Sequence, residues 1–260
     1  MNELLTTTSN ELQLFLLVAT RVGALVMSAP HLGAAVVPVR VRLFLTLALA
    51  VLLTPLAGDG AAPPATNLAA LALQIIQEMM IGTALGLAIQ ILVAGLQISG
   101  QTASQMAGVS LADVIDPTFE SQIPAFSQIL NLVALLIFLV GGGHHELMRA
   151  LIDSFRWLPP GQSPPTVELT DALMEITSQS FVLGLRAAAP VMVALLVATI
   201  LLALVSRTVP QLNVMQLGFG VNIIVLLGTL AMSLGTIVWV FQEEVTSALQ
   251  LLQEAMMKSP

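Results

Sequence analysis

The chain contains no cysteine and only one lysine, Lys258. Without cysteine it can form no disulfide framework, thiolate nucleophile or cysteine-based metal site. A P-loop needs a lysine at the start of a helix after a glycine-rich turn, and Lys258 has no such setting. The position of this lysine also excludes a Schiff-base lysine in the core.

Charge is scarce as well. Charged residues make up 9% of the 260 residues and hydrophobic residues 57%, with a mean hydropathy of +0.94. Soluble domains are about a quarter charged, so the composition indicates an integral membrane protein. The formal net charge of -7 excludes the basic surface that a nucleic acid would need.

The first residues do not resemble a secretory signal. Glu3 and Glu11 stand where a signal would carry basic residues, and Arg21 interrupts the first apolar run. We therefore expect this segment to be retained.

Long apolar blocks are the main feature of what is present. About six of them could cross a hydrocarbon core of about 30 Å, which takes about 20 residues. Because backbone groups in lipid must bond internally, each block is predicted to be helical. The predicted fold class is all-α, a polytopic membrane protein built from hydrophobic helical hairpins. The blocks are 12–31, 41–58, 68–99, 123–142, 181–206 and 212–242.

The clearest break in the chain is "LPPGQSPP", residues 158–165. It predicts an N-terminal part, 1–158, with four blocks and a C-terminal part, 159–260, with two. Amphipathic segments at 145–158 and 167–177 lie on either side of it. They are predicted to cap the core at the membrane surface, or alternatively to dock a partner.

Three charged residues, Arg21, Glu78 and Arg186, fall inside apolar blocks. A lone charge near the bilayer centre costs roughly 2.5 kcal/mol or more, so each should have a partner. Glu78 is predicted to pair with Arg21 or with Arg186. A structural ion pair is one interpretation and a proton relay is the other, although a relay usually needs several ionisable groups in line.

Small residues and histidines add two further hypotheses. Gly82 and Gly86 form a GxxxG pattern, which predicts close packing against another helix. His144 and His145 are adjacent rather than one helical turn apart, so their side chains should diverge. We therefore predict no metal site and no cofactor.

A softer stretch, "QMAGVSLADVIDP", occupies residues 105–117 between two apolar blocks. Gly108 and Ser110 favour a flexible break there. Non-helical backbone at membrane depth is tolerated only against protein or a water-filled cavity. The stretch is therefore a candidate functional loop.

The order of these motifs resembles the flagellar biosynthetic protein FliR family, which includes the equivalent subunit of type III secretion injectisomes. "GVSLADVIDP" and "RTVPQLNV" carry the most specific part of the resemblance, which covers nearly the whole chain. The chain departs from the family's usual residues at Gly220 and Asn222. The matching segments are 21–55, 78–90, 100–117, 135–155 and 188–220.

The resemblance implies a non-enzymatic subunit of the flagellar protein export gate in the bacterial inner membrane, at the flagellar basal body. Its partners would be FliP-like, FliQ-like and FlhB-like proteins, and unfolded flagellar proteins would pass through the channel. The parts 1–158 and 159–260 would be P-subunit-like and Q-subunit-like respectively.

The resemblance also implies roles for particular residues. The matching loop would help plug the channel, and two glycines and a turn would pack against other subunits. The plug residues would be Met106, Gly108, Val109, Ser110, Leu111, Ala112, Asp113, Val114 and Pro117. The packing residues would be Gly82, Gly86, Pro210, Gln211 and Asn213.

Two other classes of function stay open from the residues alone. A secondary transporter or ion channel subunit could use Glu78, Arg21 and Arg186 for coupling, although it would normally show internal repeats. An intramembrane enzyme would need a nucleophile or metal constellation, and none is recognisable in the sequence.

Overall fold

The computed structural model describes residues 2–30, 37–58, 65, 67–108, 125–162, 166–209 and 214–257. Over these residues the chain consists of helices and short turns, without strands. The helices are α1 (Asn2–Ser28), α2 (Val39–Ala57), α3 (Leu68–Met106), α4 (Ala125–Val140), α5 (Gly143–Trp157), α6 (Thr166–Thr208) and α7 (Val214–Met257). The predicted all-α class is confirmed.

Five of the helices, α1, α2, α3, α6 and α7, are long and apolar enough to cross a membrane. Helices α4 and α5 together could form a sixth span, bent by 66°. Gly142, at this bend, has a φ of 76°, in the left-handed region that glycine adopts without steric cost. The polytopic prediction of about six spans is therefore confirmed.

The three longest helices are more continuous than the sequence suggested. Helices α3, α6 and α7 run for 39, 43 and 44 residues. Residues 167–177, expected as a separate amphipathic helix, form the first turns of α6. The helix also continues through Pro190, which removes one backbone donor without ending it.

The described chain forms two compact units. The first unit is Met1–Ile91, Gly142–Thr177 and Val245–Pro260, and the second is Leu92–Gly141 and Ser178–Glu244. Helices α3, α6 and α7 each contribute to both units. The predicted parts 1–158 and 159–260 concern likeness to two kinds of subunit, which compactness does not test, so that division stays a prediction.

In the first unit, apolar faces of α1, α3 and α5 are buried. Helix α5 is amphipathic, as predicted, and its apolar face is covered. The buried side chains include Val18, Val22, Leu25, Ile81, Leu85, Leu147, Leu151 and Phe155.

In the second unit, the later part of α3 lies against α6. A Cβ atom added at Gly95 would collide with the backbone of Ser180, and one added at Gly184 with the carbonyl oxygen of Gly95. The two backbones can therefore approach closely only because both positions are glycine.

Candidate functional site

A buried ionic cluster forms around Arg21 in the first unit. The Arg21 side chain is fully buried, because it shares a helix face with apolar residues three and four positions away. Glu78 occupies the equivalent face of α3 and is also fully buried. The buried neighbours of these two residues along their own helices include Val18, Leu25, Ile81 and Leu85.

Arg21 and Glu78 make a two-point contact. The Nε atom of Arg21 lies 2.6 Å from Oε2 of Glu78, and the Nη2 atom lies 3.2 Å from Oε1. This side-on geometry matches the planar guanidinium fork to the carboxylate. Two charges that would be unstable alone in an apolar interior thus compensate each other.

The remaining donors of Arg21 bond to the end of α5 and the turn after it. Nη1 donates to the carbonyl oxygen of Ser154 at 3.0 Å and to its Oγ at 3.1 Å. Nη2 donates to the carbonyl oxygen of Leu158 at 2.9 Å. A guanidinium has five N–H groups, and the five acceptor contacts of Arg21 match that number.

Two further contacts complete what we call the Arg21–Glu78 cluster, which comprises Arg21, Glu78, Ser154, Phe155, Leu158 and Gly161. The guanidinium carbon lies 4.4 Å from the centre of the Phe155 ring, within cation–π range. The backbone N–H of Gly161 donates to Oε1 of Glu78 at 2.9 Å. The cluster therefore ties α1 and α3 to the turn that follows α5.

Arg186 is not part of this cluster. It lies in the second unit, 3.9 Å from Glu244 of α7, and 63% of its side chain is exposed. Of the two pairings proposed from sequence, the structure brings Glu78 to Arg21. The long distance and high exposure make the Arg186–Glu244 contact a weak one.

The geometry of the cluster favours a structural role over proton transfer. Its only ionisable side chains are Arg21 and Glu78, and an arginine does not lose its proton in proteins. A relay would need further titratable groups in line. Two charges held by backbone carbonyls, a backbone N–H and an aromatic ring instead form a fixed junction.

Sequence reasoning missed the other members of the cluster. Ser154 had a readable signal, because it lies seven residues after Leu147 and three after Leu151, on the buried face of α5. The contributions of Leu158 and Gly161 come from main-chain atoms, which residue type does not reveal.

Gly82 and Gly86 lie against α1 of the same chain. A Cβ atom at Gly82 would collide with the carbonyl oxygen of Arg21, and one at Gly86 with Oγ of Ser28. The predicted close helix packing is present, but its partner is α1. Whether these glycines also pack against another subunit stays a prediction.

Only the start of the predicted plug lies within the described residues. Helix α3 ends at Met106, whose side chain is partly exposed, and Gly108 has a φ of 78°. A left-handed glycine is a common helix terminator. Outside the described residues are Val109, Ser110, Leu111, Ala112, Asp113, Val114 and Pro117, as well as Pro210, Gln211 and Asn213 of the predicted packing turn.

The fold defines a class, a polytopic helical membrane protein in which a buried arginine–glutamate pair joins two of the long helices. Comparison with known proteins narrows the class. The family described as "Bacterial export proteins, family 1" matches residues 12–248, and the chain belongs to this family.

Several relatives are flagellar biosynthetic proteins FliR. The protein of Escherichia coli (strain K12) is 34% identical over 207 residues, which cover 79% of this chain and 78% of the relative. That of Caulobacter vibrioides is 29% identical over 235 residues, covering 90% and 94% respectively. That of Bacillus subtilis (strain 168) is 30% identical over 215 residues, covering 81% and 82%.

These matches confirm the resemblance that the sequence motifs indicated. They extend over most of the chain and most of each relative. The chain is accordingly a membrane protein of the flagellar export apparatus.

Proposed function

We propose that the chain is a non-catalytic subunit of the flagellar protein export gate, which helps to form and plug a channel in the bacterial inner membrane at the flagellar basal body. Unfolded flagellar proteins would be the substrates that pass through it. The observation that carries the proposal is the large apolar surface that the chain leaves uncovered. Only 17% of the most hydrophobic 18-residue stretch of α6 is buried within the chain, and the corresponding share for α7 is 22%.

Such a surface suits a subunit of a membrane assembly, since lipid or neighbouring subunits must cover it. We assign the neighbours as FliP-like, FliQ-like and FlhB-like proteins, on the family resemblance. In this assignment residues 1–158 are P-subunit-like and residues 159–260 are Q-subunit-like. The turn with Pro210, Gln211 and Asn213 would contact a neighbour.

The plug is assigned to the segment that begins at Met106. Gly108 directs the chain out of α3, so the following residues need not continue the helix. Val109, Leu111 and Val114 would supply apolar surface, and hydrophobic constrictions can hold back ions by excluding water. Met106 has a flexible side chain that suits a deformable seal.

The alternative hypothesis, a secondary transporter or ion channel subunit, is less well supported than the export-gate subunit. It required Glu78, Arg21 and Arg186 to act together, whereas Arg186 contacts Glu244 in the other compact unit. Arg21 and Glu78 are fully engaged with each other and with backbone groups. A coupling site would need groups free to change partners.

A cysteine crosslink tests the proposal. Because the chain has no native cysteine, an introduced cysteine is the only thiol on it that can react. Val109→Cys is combined with a flagellar substrate stalled during export, and a thiol crosslinker is added. Met232→Cys is the matched control, because that side chain is exposed on an apolar helix outside the predicted plug.

We expect Val109→Cys to crosslink to the stalled substrate and Met232→Cys not to do so. If Val109→Cys assembles and supports motility without crosslinking, the plug assignment fails. Transport of a small solute by the isolated protein would instead favour the transporter.

A further inference from the structure

We propose that the turn at residues 158–162 is a latch, which the buried Arg21–Glu78 pair holds closed and in which Gly161 is the positioning residue. We call these residues the 158–162 latch. When it is closed, the latch fixes the end of α5 against α1 and α3. This inference concerns a conformational device within the first compact unit, so it goes beyond the export function and does not depend on the plug.

The sequence "LPPGQ" specifies the turn itself. The backbone N–H of Gln162 donates to the carbonyl oxygen of Pro159 at 3.2 Å, which closes a turn of four residues. Pro160 occupies the second position of this turn and Gly161 the third, with a φ of 84°. A proline followed by a left-handed glycine is typical of a type II turn.

The type of turn decides where the N–H of Gly161 points. This N–H belongs to the peptide group between Pro160 and Gly161, and that group has opposite orientations in type I and type II turns. In the structure it donates to Oε1 of Glu78 at 2.9 Å. A residue that avoids the left-handed region would favour the other orientation and direct the donor away from Glu78.

The latch offers each charge of the buried pair a group of the opposite polarity. The carbonyl oxygen of Leu158 accepts a hydrogen bond from Nη2 of Arg21 at 2.9 Å, while the N–H of Gly161 faces the carboxylate of Glu78. Hydrogen bonds to charged groups are about twice as strong as those between neutral groups. The latch is therefore complementary to the ion pair as a whole.

Opening the latch would leave both charges with fewer partners in an apolar interior. Arg21 and Glu78 are fully buried, and Leu158 is 1% exposed. Withdrawal of the turn would remove an acceptor from the guanidinium and a donor from the carboxylate, and a buried group without its partner carries the full cost of its desolvation. Closing the latch and forming the pair should therefore be cooperative.

Gly142 provides a matched control at the opposite end of α5. It has a φ of 76°, so an alanine there meets the same kind of backbone strain as an alanine at Gly161. Its carbonyl oxygen accepts a hydrogen bond from the N–H of His145 at 2.8 Å, in the first turn of the helix. Gly142→Ala therefore strains the start of α5 and not the latch.

Trypsin can report opening of the latch in the full-length chain in detergent micelles. Arg156 lies just before the latch, and 66% of its side chain is exposed. Arg149, in the same helix, is 72% exposed and serves as the internal reference. Cleavage of a transiently opened segment follows the population of the open form when reclosing is fast.

We expect Gly161→Ala to raise the rate of cleavage after Arg156 about tenfold, because a left-handed alanine is sterically disfavoured. The rate after Arg149 should stay unchanged, and Gly142→Ala should leave the rate after Arg156 at the wild-type value. Gly161→Asn should keep cleavage slow, because asparagine adopts the left-handed conformation more readily and retains the N–H. The proposal is overturned if Gly161→Ala matches the wild type, or if Gly142→Ala or Gly161→Asn matches Gly161→Ala.

Glu78→Gln tests the coupling, and it also covers the case in which Gly161→Ala does not fold. Residue 78 lies on α3, yet weakening the pair should speed cleavage after Arg156 on α5 more than cleavage after Arg149. In the Glu78→Gln background, Gly161→Ala should raise cleavage much less than it does alone, because both changes act on one cooperative unit. Unchanged cleavage after Arg156 in Glu78→Gln, or effects of the two changes that multiply in full, would show that the turn and the ion pair are independent and would refute the latch.

Discussion

Helices α3 and α6 are both long and apolar, yet they bury their surfaces in different places. The most hydrophobic window of α3 has a mean hydropathy of 2.0 and is 61% buried within the chain. The corresponding window of α6 has a mean hydropathy of 2.7 and is only 17% buried. The more hydrophobic helix is therefore the less covered one.

The difference shows that hydrophobicity alone does not decide packing in a membrane protein. Lipid chains are as apolar as leucine, so helices associate through close backbone contact and polar groups. Helix α3 has both, with Glu78 and with glycines that lie against α1 and α6. On α7 the exposed counterparts Gly220, Gly228 and Gly235 have open space around them.

The largest effect should come from breaking the buried ion pair. Glu78→Ala leaves Arg21 charged and unpaired in an apolar interior, and we expect a loss of about 3–5 kcal/mol in stability. Glu78→Gln should be milder, because an amide oxygen can still accept hydrogen bonds. The amount of chain in purified export complexes measures both. Wild-type assembly of both variants would contradict the structural role of the pair.

A glycine comparison should give the next largest effect. Gly82→Ala places a methyl group against the backbone of α1, which cannot rotate away, and should destabilise the chain by about 1–3 kcal/mol. Gly228→Ala enters open space and should be neutral or slightly stabilising, since alanine favours helix. Thermal unfolding in detergent micelles compares them. Equal melting temperatures would remove the distinction between crowded and open glycines.

Two adjacent leucines of α6 test the same distinction within one helix. Leu195 is fully buried, whereas Leu196 is 55% exposed. Leu195→Ala should leave a cavity and lower stability by about 1–2 kcal/mol, less than in a soluble core because lipid replaces water as the alternative environment. Leu196→Ala should change the melting temperature little. The reverse order would mean that the buried face of α6 is misassigned.

The smallest effect should come from the exposed ion pair. Arg186→Ala removes a partner of Glu244 that lies 3.9 Å away and is mostly exposed. Such pairs contribute about 0–1 kcal/mol. Protein level and swimming should stay close to wild type. A loss as large as that of Glu78→Ala would make the two ion pairs equivalent and refute the comparison.

Much of the fold could be read from the sequence, because membrane segments must be both apolar and helical. The six predicted blocks overlap the helices, and the amphipathic face of α5 is buried as expected. The predicted separation of residues 167–177 from residues 181–206 was wrong, because both segments belong to one continuous helix. The polar residues from Thr177 to Ser180 are compatible with a helix or with a break, so the sequence alone does not predict that the helix continues through them.

The Arg21–Glu78 cluster could likewise be predicted only in part from the sequence. The position of Glu78 inside an apolar block predicted that it has a charged partner, but Arg21 and Arg186 were equally good candidates. The choice depended on which helices meet, and that is a property of tertiary packing. The carbonyl oxygens of Ser154 and Leu158 and the N–H of Gly161 carry no side-chain signature at all.

The sequence by itself determined that this is a helical membrane protein of the bacterial export family, because scarce charge, long apolar blocks and ordered motifs are properties of the residues. Only the tertiary structure decided that Arg21 is the partner of Glu78, that α1 fills the face of Gly82 and Gly86, and that α6 leaves its surface uncovered. Partner choice depends on which backbones come within a few ångströms of each other. The distance between two backbones depends on contacts among residues that are far apart in the chain, so a local sequence pattern does not predict it.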